Sequence, residues 1–278
     1  MMHLFLRVSE RCSRNTAKQY STSFYSAIKL LHTDLRQPVF NIYGFVRFAD
    51  EIVDSFHDFD KATLLQQFKE ETYAAIRRGL SLNPILNSFQ KTVNEYGIDQ
   101  NLVEAFFTSM EMDLNKQNYN YDGYHEYIYG SAEAVGLMCL HIFCEGDTGN
   151  YEALKESASS LGAAFQKVNF MRDVKADYTE LNRTYFPGCD FKNFTGSEKI
   201  KIEEDIQRDF ENAFPGIIHL PIKARFGVYV AYKYYLSLFN KIRKVKPARI
   251  MEERVRIPNY KKALIIIRAG VKNQLNLI

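Results

Sequence analysis

Apolar residues recur along this chain with the period of an α-helix. Gly (14) and Pro (7) are sparse, and between them apolar side chains recur every three or four positions, which is typical of amphipathic helices. Pro38 and Pro84 read as helix starts and Asp99 as an N-cap. The Tyr and Val content of 226–245 would also suit strands, but its length favours a helix. The predicted helices are 38–57, one from 84 onward, 101–114, 151–178, 226–245 and 259–275.

Neither repeats nor a clear linker interrupt this pattern, so we predict one all-α domain over residues 1–278. Hydrophobic residues make up 46% of the chain and charged residues 25%, which are globular values that exclude wholesale disorder. Aromatic residues are abundant, with 21 Phe and 18 Tyr. They indicate a large apolar interior or a cavity, although core packing alone accounts for many such rings.

The four cysteines form no C-x-x-C pair, and the six histidines form no H-E-x-x-H. A zinc site or a disulfide scaffold is therefore not expected, and a reducing, cytoplasmic compartment fits. The first residues, MMHLFLRVSE, contain too short an apolar stretch for a signal peptide. No window approaches the roughly 18 uncharged residues of a membrane span.

The net charge of +3 is unevenly distributed. From Lys241 onward the chain carries +9, so residues 1–240 carry −6. A basic tail beside an amphipathic last helix suggests an anionic partner: a phosphate, a lipid surface or nucleic acid. The alternative is a solvated basic helix. We expect peripheral association with the inner face of a membrane and no nucleic-acid binding.

The stretch VRFADEIVDS places carboxylates in an otherwise apolar helix. Asp50 and Asp54 are four residues apart and therefore lie on one face, with Arg47 on the same side. Like charges placed this way repel unless a cation lies between them. The D-x-x-x-D spacing alone is weak evidence, because solvated helix faces often carry it.

A second polar stripe strengthens the case. Gln166, Asn169, Asp173 and Asp177 follow one another in steps of three, four and four, and Arg172 lies alongside. Oxygen ligands on two facing helices suit Mg²⁺, which commonly bridges carboxylates to substrate phosphates. Neighbouring arginines would bind the same anion. The residues predict a Mg²⁺–diphosphate site between two helices of a bundle.

These motifs carry a resemblance. YSTSF, RFADEIVD, QKVNFMRDVKAD and NRTYFP resemble the signatures of the squalene/phytoene synthase family, over about residues 12–265, and GSAEAVGLMCLHIFCEGD and ERVRIPNYKK look closest to the bacterial phytoene synthases. The resemblance implies the all-α isoprenoid synthase fold, a helical bundle around a central active-site cavity. It also implies the head-to-head joining of two allylic diphosphates through a cyclopropylcarbinyl diphosphate.

The resemblance also implies roles for individual residues. The metal ligands would be Asp50, Asp54, Asn169, Asp173 and Asp177, with Mg²⁺, or Mn²⁺ in its place, as the ion. The diphosphate ligands would be Ser21, Ser23, Arg47, Gln166, Asn169, Arg172 and Arg254. Two alternatives stay open: the two serines also suit helix N-caps, and Arg254 also suits a basic surface cluster.

Tyrosine faces stabilise a desolvated cation, which suits a reaction through an allylic carbocation. By its place before GSAEAVG, Tyr129 best matches the family's catalytic tyrosine, and Tyr235 is a candidate for the pocket wall. Asp113 resembles a further position near the site, or else is a carboxylate on a helix surface. Ile28 and Phe40 are candidates for the walls of a prenyl tunnel and for control of chain length. Ordinary core packing is the alternative for both.

The leading hypothesis from the sequence is therefore a prenyltransferase that makes phytoene, a carotenoid precursor, from two geranylgeranyl diphosphates without NADPH. The alternative is a C30 enzyme that makes dehydrosqualene or squalene from farnesyl diphosphate. A non-catalytic binding or assembly protein on the same fold is disfavoured, because both aspartate motifs are intact.

Overall fold

A computed structural model describes residues 2–115, 119–179 and 184–274, without the side chains of 176–179 and 192. This part of the chain is helical and contains no strand, as predicted. The helices are α1 (Met2–Tyr20), α2 (Thr22–Ile28), α3 (Thr33–Ser55), α4 (Lys61–Arg78), α5 (Pro84–Tyr96), α6 (Gln100–Asn115), α7 (Tyr121–Ile128), α8 (Ala134–Cys144), α9 (Thr148–Thr179), α10 (Gly196–His219), α11 (Ile222–Arg243), α12 (Pro247–Ile250) and α13 (Asn259–Gln274). A π-helical turn, Tyr129–Glu133, joins α7 to α8.

Side chains cap several helix starts, and among them Asp99 is the N-cap that the sequence predicted. Asn83 accepts hydrogen bonds from the first backbone N–H groups of α5, and Pro84 occupies the first turn. Asp99 Oδ1 accepts from Asn101 N at 2.9 Å at the start of α6. Thr195 and Glu198 form a reciprocal capping box at the start of α10. These local bonds satisfy N–H groups that a helix start would otherwise leave without partners.

The predicted start of α3 at Pro38 was wrong. The helix begins at Thr33 and carries Pro38 inside it, and His32, its N-cap, makes no capping bond through its side chain. Leu35, in the first turn, is fully buried. Burial of this turn therefore outweighs the backbone hydrogen bond that Pro38 cannot make.

Two apolar clusters form the interior. The first comes mainly from the helices α1–α6 and α8, and the second from α7 and α9–α13. The 32-residue helix α9 packs against α8, α10, α11 and the π-turn, and so runs along the boundary between the two clusters. This boundary is where a cavity opens.

One helical stretch, Tyr121–Cys144, is long and apolar enough to cross a membrane by length and composition. The sequence expectation that no window approaches this limit was therefore wrong. The stretch includes the π-turn, and half of its apolar window is buried inside the fold. Core helices pass the same test, so this stretch is weak evidence for a membrane span.

Candidate active site

An apolar cavity of about 290 Å³ lies between α2, α3, α8, α9, α10 and α11. Its walls are built mostly from aliphatic and small side chains, with Tyr43, Gln166 and Asn169 among the few polar ones. Because Asn169 follows Gln166 on α9 toward the helix end that carries Asp173, the cavity has one polar end and one apolar end. We call these the mouth and the floor.

Glycines bring the helices around the cavity close together. A Cβ on Gly162 would stand 2.7 Å from the Ala132 carbonyl oxygen, and one on Gly227 would stand 2.5 Å from a Leu31 methyl carbon. A side chain at Gly162 would therefore displace the backbone of the π-turn, and one at Gly227 would displace the buried Leu31 side chain.

The cavity is deep along α9. Its wall on this helix extends from Asn169 at the mouth to Leu154 at the floor, and this separation of fifteen positions corresponds to about 22 Å at about 1.5 Å per residue. Gly136 of α8 lies opposite Ala158 of α9, and the two helices run antiparallel. Cys139, one turn farther along α8, therefore lies near the floor.

The three residues predicted for the tunnel wall occupy different places. Ile28 lines the cavity. Phe40 does not, because it lies on another face of α3 and packs against the Tyr25 ring at 5.5 Å. Tyr235 is buried behind the wall, with its ring stacked 3.9 Å from the lining residue Phe165.

The carboxylates of α3 stand beside Arg47. Arg47 Nη1 lies 3.9 Å from Asp50 Oδ2, and Arg47 also forms an ion pair with Glu51. Burial, followed by the negative charge of Asp54, raises the pKa of Asp50 to about 7 despite this arginine. Negative charge on this face is therefore only partly neutralised by the protein.

Arg47 has a donor available for an anion. Its guanidinium stacks 4.4 Å from the Tyr20 ring, and its Nε is buried without a hydrogen-bond partner. An unpaired buried donor is costly, so this N–H is suited to an acceptor brought by a ligand.

Asp173 is held by two arginines. Arg172 Nε donates to its Oδ1 at 3.0 Å, and Arg254 Nε lies 2.6 Å from the same oxygen. Arg254 comes from the segment after α12; its side chain is half-exposed and pairs with Asp173, so it is both a surface residue and a partner of this carboxylate of α9. Asp177 lies in the last turn of α9, and its side chain is outside the described residues.

The polar stripe of α9 reaches the cavity through Gln166 and Asn169, which both line it. Tyr235 donates a hydrogen bond to Asn169 Oδ1 at 3.2 Å. Ser21 is the N-cap of α2 and accepts from Phe24 N at 3.2 Å, as its alternative interpretation held. Ser23 is half-buried in the first turn of the same helix.

Two further residues at the mouth were missed by the sequence analysis. Tyr43 lines the cavity and has the charges of Arg47 and Asp50 nearby, while burial raises its pKa to about 12. Lys262 of α13 donates to Thr22 Oγ1 at 3.1 Å. Burial and the neighbouring positive charge of Arg172 lower the pKa of Lys262. Periodicity could not have singled out either residue.

Asp113 is not a surface carboxylate, because only 7% of it is exposed. Its oxygens accept hydrogen bonds from the hydroxyls of Tyr127 at 2.7 Å, Tyr119 at 3.2 Å and Tyr185 at 3.4 Å. Its negative charge also contributes to the raised pKa of Asp50, so this cluster lies close to the carboxylates of α3.

The structure does not bring Tyr129 to the cavity. Its side chain is 41% exposed and does not line the cavity wall. Residues two apart on a helix point in nearly opposite directions, and here Tyr127 points to Asp113 while Tyr129 points outward. The sequence could not distinguish these two tyrosines.

The donors at the mouth fit a divalent cation. Mg²⁺ prefers oxygen ligands and usually keeps some positions for phosphate oxygens or water. Asp50 and Asp54 supply oxygens, and burial already disfavours the charge of Asp50. Among the described side chains, no three Asp, Glu, His or Cys groups converge as a complete metal site.

The raised pKa of Asp50 predicts a pH-dependent stability of the metal-free protein. Between its unfolded pKa of about 4 and its folded pKa of about 7, the folded state binds more protons, so stability falls as pH rises. We expect metal-free Asp50→Asn to melt a few degrees higher than the wild type at pH 8 and alike at pH 4.

Thermal unfolding in chelator, followed by circular dichroism, measures this difference, with exposed Asp58→Asn as the control. Equal melting temperatures of wild type and Asp50→Asn at pH 8 would contradict the prediction. Added Mg²⁺ should then raise the melting temperature of the wild type more than that of Asp50→Asn.

Comparison with known proteins agrees with this architecture. Residues 17–261 match the family described as squalene/phytoene synthase. Phytoene synthase of Arthrospira platensis is 28% identical, over 95% of this chain and 92% of that protein. Presqualene diphosphate synthase of Rhodopseudomonas palustris is 31% identical, over 60% of this chain and 58% of that protein. A crystal structure of a dehydrosqualene synthase shares the fold, with a TM-score of 0.81 and 19% identity. The match covers 97% of this chain and 98% of that chain. The chain belongs to the squalene/phytoene synthase family.

Proposed function

We propose that this prenyltransferase joins two C20 allylic diphosphates head to head to give phytoene through a cyclopropylcarbinyl diphosphate. The depth of the cavity carries the proposal. The separation of Asn169 and Leu154 on α9 corresponds to about 22 Å by the helix rise. Four isoprene units of about 5 Å each, close to one helical turn per unit, extend about 20 Å. A C15 chain would leave the floor near Leu154 uncovered.

The polar groups at the mouth would hold the diphosphate. Arg47 offers its unpartnered Nε, and Arg172 and Lys262 add positive charge from α9 and α13. Asp50, Asp54, Asp173 and Asn169 would hold Mg²⁺. The bound ion would supply a Lewis acid that neutralises the departing diphosphate.

The apolar wall would keep the resulting allylic cation away from water. Phe24, Phe165 and Tyr235 form a packed aromatic group at the mouth, with ring centroids 3.9–6.1 Å apart. Ring faces attract a desolvated cation by up to about 2 kcal/mol. This aromatic group lies between the diphosphate ligands and the aliphatic floor, where charge would develop on the substrate.

The alternative is a C30 reaction on farnesyl diphosphate. The 31% identity to a presqualene diphosphate synthase supports it, and a cavity that holds a C20 chain also admits a C15 chain. The depth of the floor is what favours the longer substrate.

One incubation separates the two functions. Purified protein with Mg²⁺ is supplied with C15 or C20 diphosphate, with and without NADPH, and the hydrocarbon is identified by mass spectrometry. We expect a C40 product from the C20 substrate, formed equally well without NADPH. Preferred formation of a C30 product would reject the proposal in favour of the alternative.

A further inference from the structure

The last helix, α13, exposes a continuous apolar stripe. Tyr260, Leu264, Ile267 and Val271 are 63%, 46%, 61% and 51% exposed. Their spacing of four, three and four residues places all of them within about 60° on one side of the helix. Ala269, on another side, is 3% exposed and belongs to the second apolar cluster. The helix is therefore packed on one face and apolar on the opposite one.

Basic residues line one edge of this stripe. Lys261, Arg268 and Lys272 lie about 80–120° around the helix from Tyr260, and all three are exposed. The helix has no acidic residue. An apolar stripe with cations along its edge is the pattern of a helix that lies in the plane of a bilayer surface, with the cations at anionic headgroups.

The inner face of α13 borders the candidate active site. Lys262 donates to Thr22 at the start of α2 and lies near Arg172. A surface that covers the outer face of α13 would therefore lie beside the mouth of the cavity, where a prenyl chain would enter.

We propose that α13 docks this protein on an anionic lipid bilayer, with its apolar stripe in the headgroup–acyl boundary and Lys261, Arg268 and Lys272 against the headgroups. The proposal goes beyond the proposed reaction and does not depend on it, because docking requires no catalysis. Charge complementarity selects anionic lipid over a second copy of the chain: two copies of this helix would place like charges together.

The test is co-sedimentation of the full chain with vesicles of phosphatidylcholine alone or mixed with phosphatidylglycerol. We expect binding to the mixed vesicles at low ionic strength, weakening as salt rises. Ile267→Glu should reduce the partition coefficient roughly tenfold or more. The triple variant Lys261→Gln, Arg268→Gln, Lys272→Gln should reduce it by about fivefold per charge.

Matched controls lie on α10, where Ile200 is 54% exposed and Lys201 is also exposed. Ile200→Glu and Lys201→Gln should bind vesicles like the wild type. Unchanged binding of the α13 variants, an equal loss in the controls, or no binding at low salt would overturn the proposal. A wild type that dimerises without lipid while Ile267→Glu stays monomeric, measured by analytical ultracentrifugation, would also overturn it, because the stripe would then be a self-association surface.

Discussion

Asp50→Asn and Asp173→Asn should each lower kcat by at least about 100-fold, the scale of removing a major electrostatic contact with the transition state. Asparagine keeps the size of the side chain and removes its charge. At Asp50 the change removes an oxygen ligand that the proposed Mg²⁺ needs. At Asp173 it also removes the partner that orients Arg172 and Arg254.

Steady-state rates with C20 diphosphate and Mg²⁺ test this expectation. Asp58→Asn is the matched control, because this exposed residue follows the same helix and lies outside the mouth. Circular dichroism should show unchanged helicity in all three variants. Near-normal turnover of both Asp50→Asn and Asp173→Asn would refute the metal assignment.

Cys139→Phe should lower the ratio of kcat/KM for C20 over C15 diphosphate by at least about tenfold. Cys139 lines the cavity near its floor, more than three helical turns below Asn169. A phenyl ring there would occupy the place of the fourth isoprene unit and leave the first three undisturbed. Discrimination by bulk at one end of a pocket is a form of steric exclusion.

Ile28→Phe provides the comparison. Ile28 lies one turn beyond Phe24, which packs beside Tyr235 at the mouth, so both substrates would contact it. The sequence suggested that residue 28 sets chain length, whereas its depth in the cavity predicts that added bulk slows both substrates. A ratio that changes in Ile28→Phe but not in Cys139→Phe would show that the floor lies elsewhere.

Much of the fold was predictable because helices depend on local signals. Asn83 and Asp99 each cap the first turn of the helix that follows them, and the sequence shows that α9 is a long helix. The start of α3 was missed because no side chain caps it and burial of Leu35 decides it. Burial against distant helices is a tertiary effect that a local pattern does not contain.

The candidate site was predictable as two stripes but not as a pocket. Their four-residue spacing showed that Asp50 and Asp54 share one helix face and that Asn169 and Asp173 share another. It could not show that Arg254, 81 residues away, pairs with Asp173, or that Lys262 reaches Thr22. Contacts of this kind depend on how α9, α13 and α2 pack, and so become visible only in the folded chain.

The close helix contacts at Gly162 and Gly227 restrict how this enzyme can diverge. A side chain at Gly162 would push the π-turn away and one at Gly227 would displace the buried Leu31 side chain, so single substitutions there carry a penalty before any change of specificity appears. Floor residues such as Cys139 and Leu154 can change one at a time while the backbone stays in place. Descendants of this chain should therefore acquire new product lengths through the floor, and the glycine contacts should persist in lineages with different products.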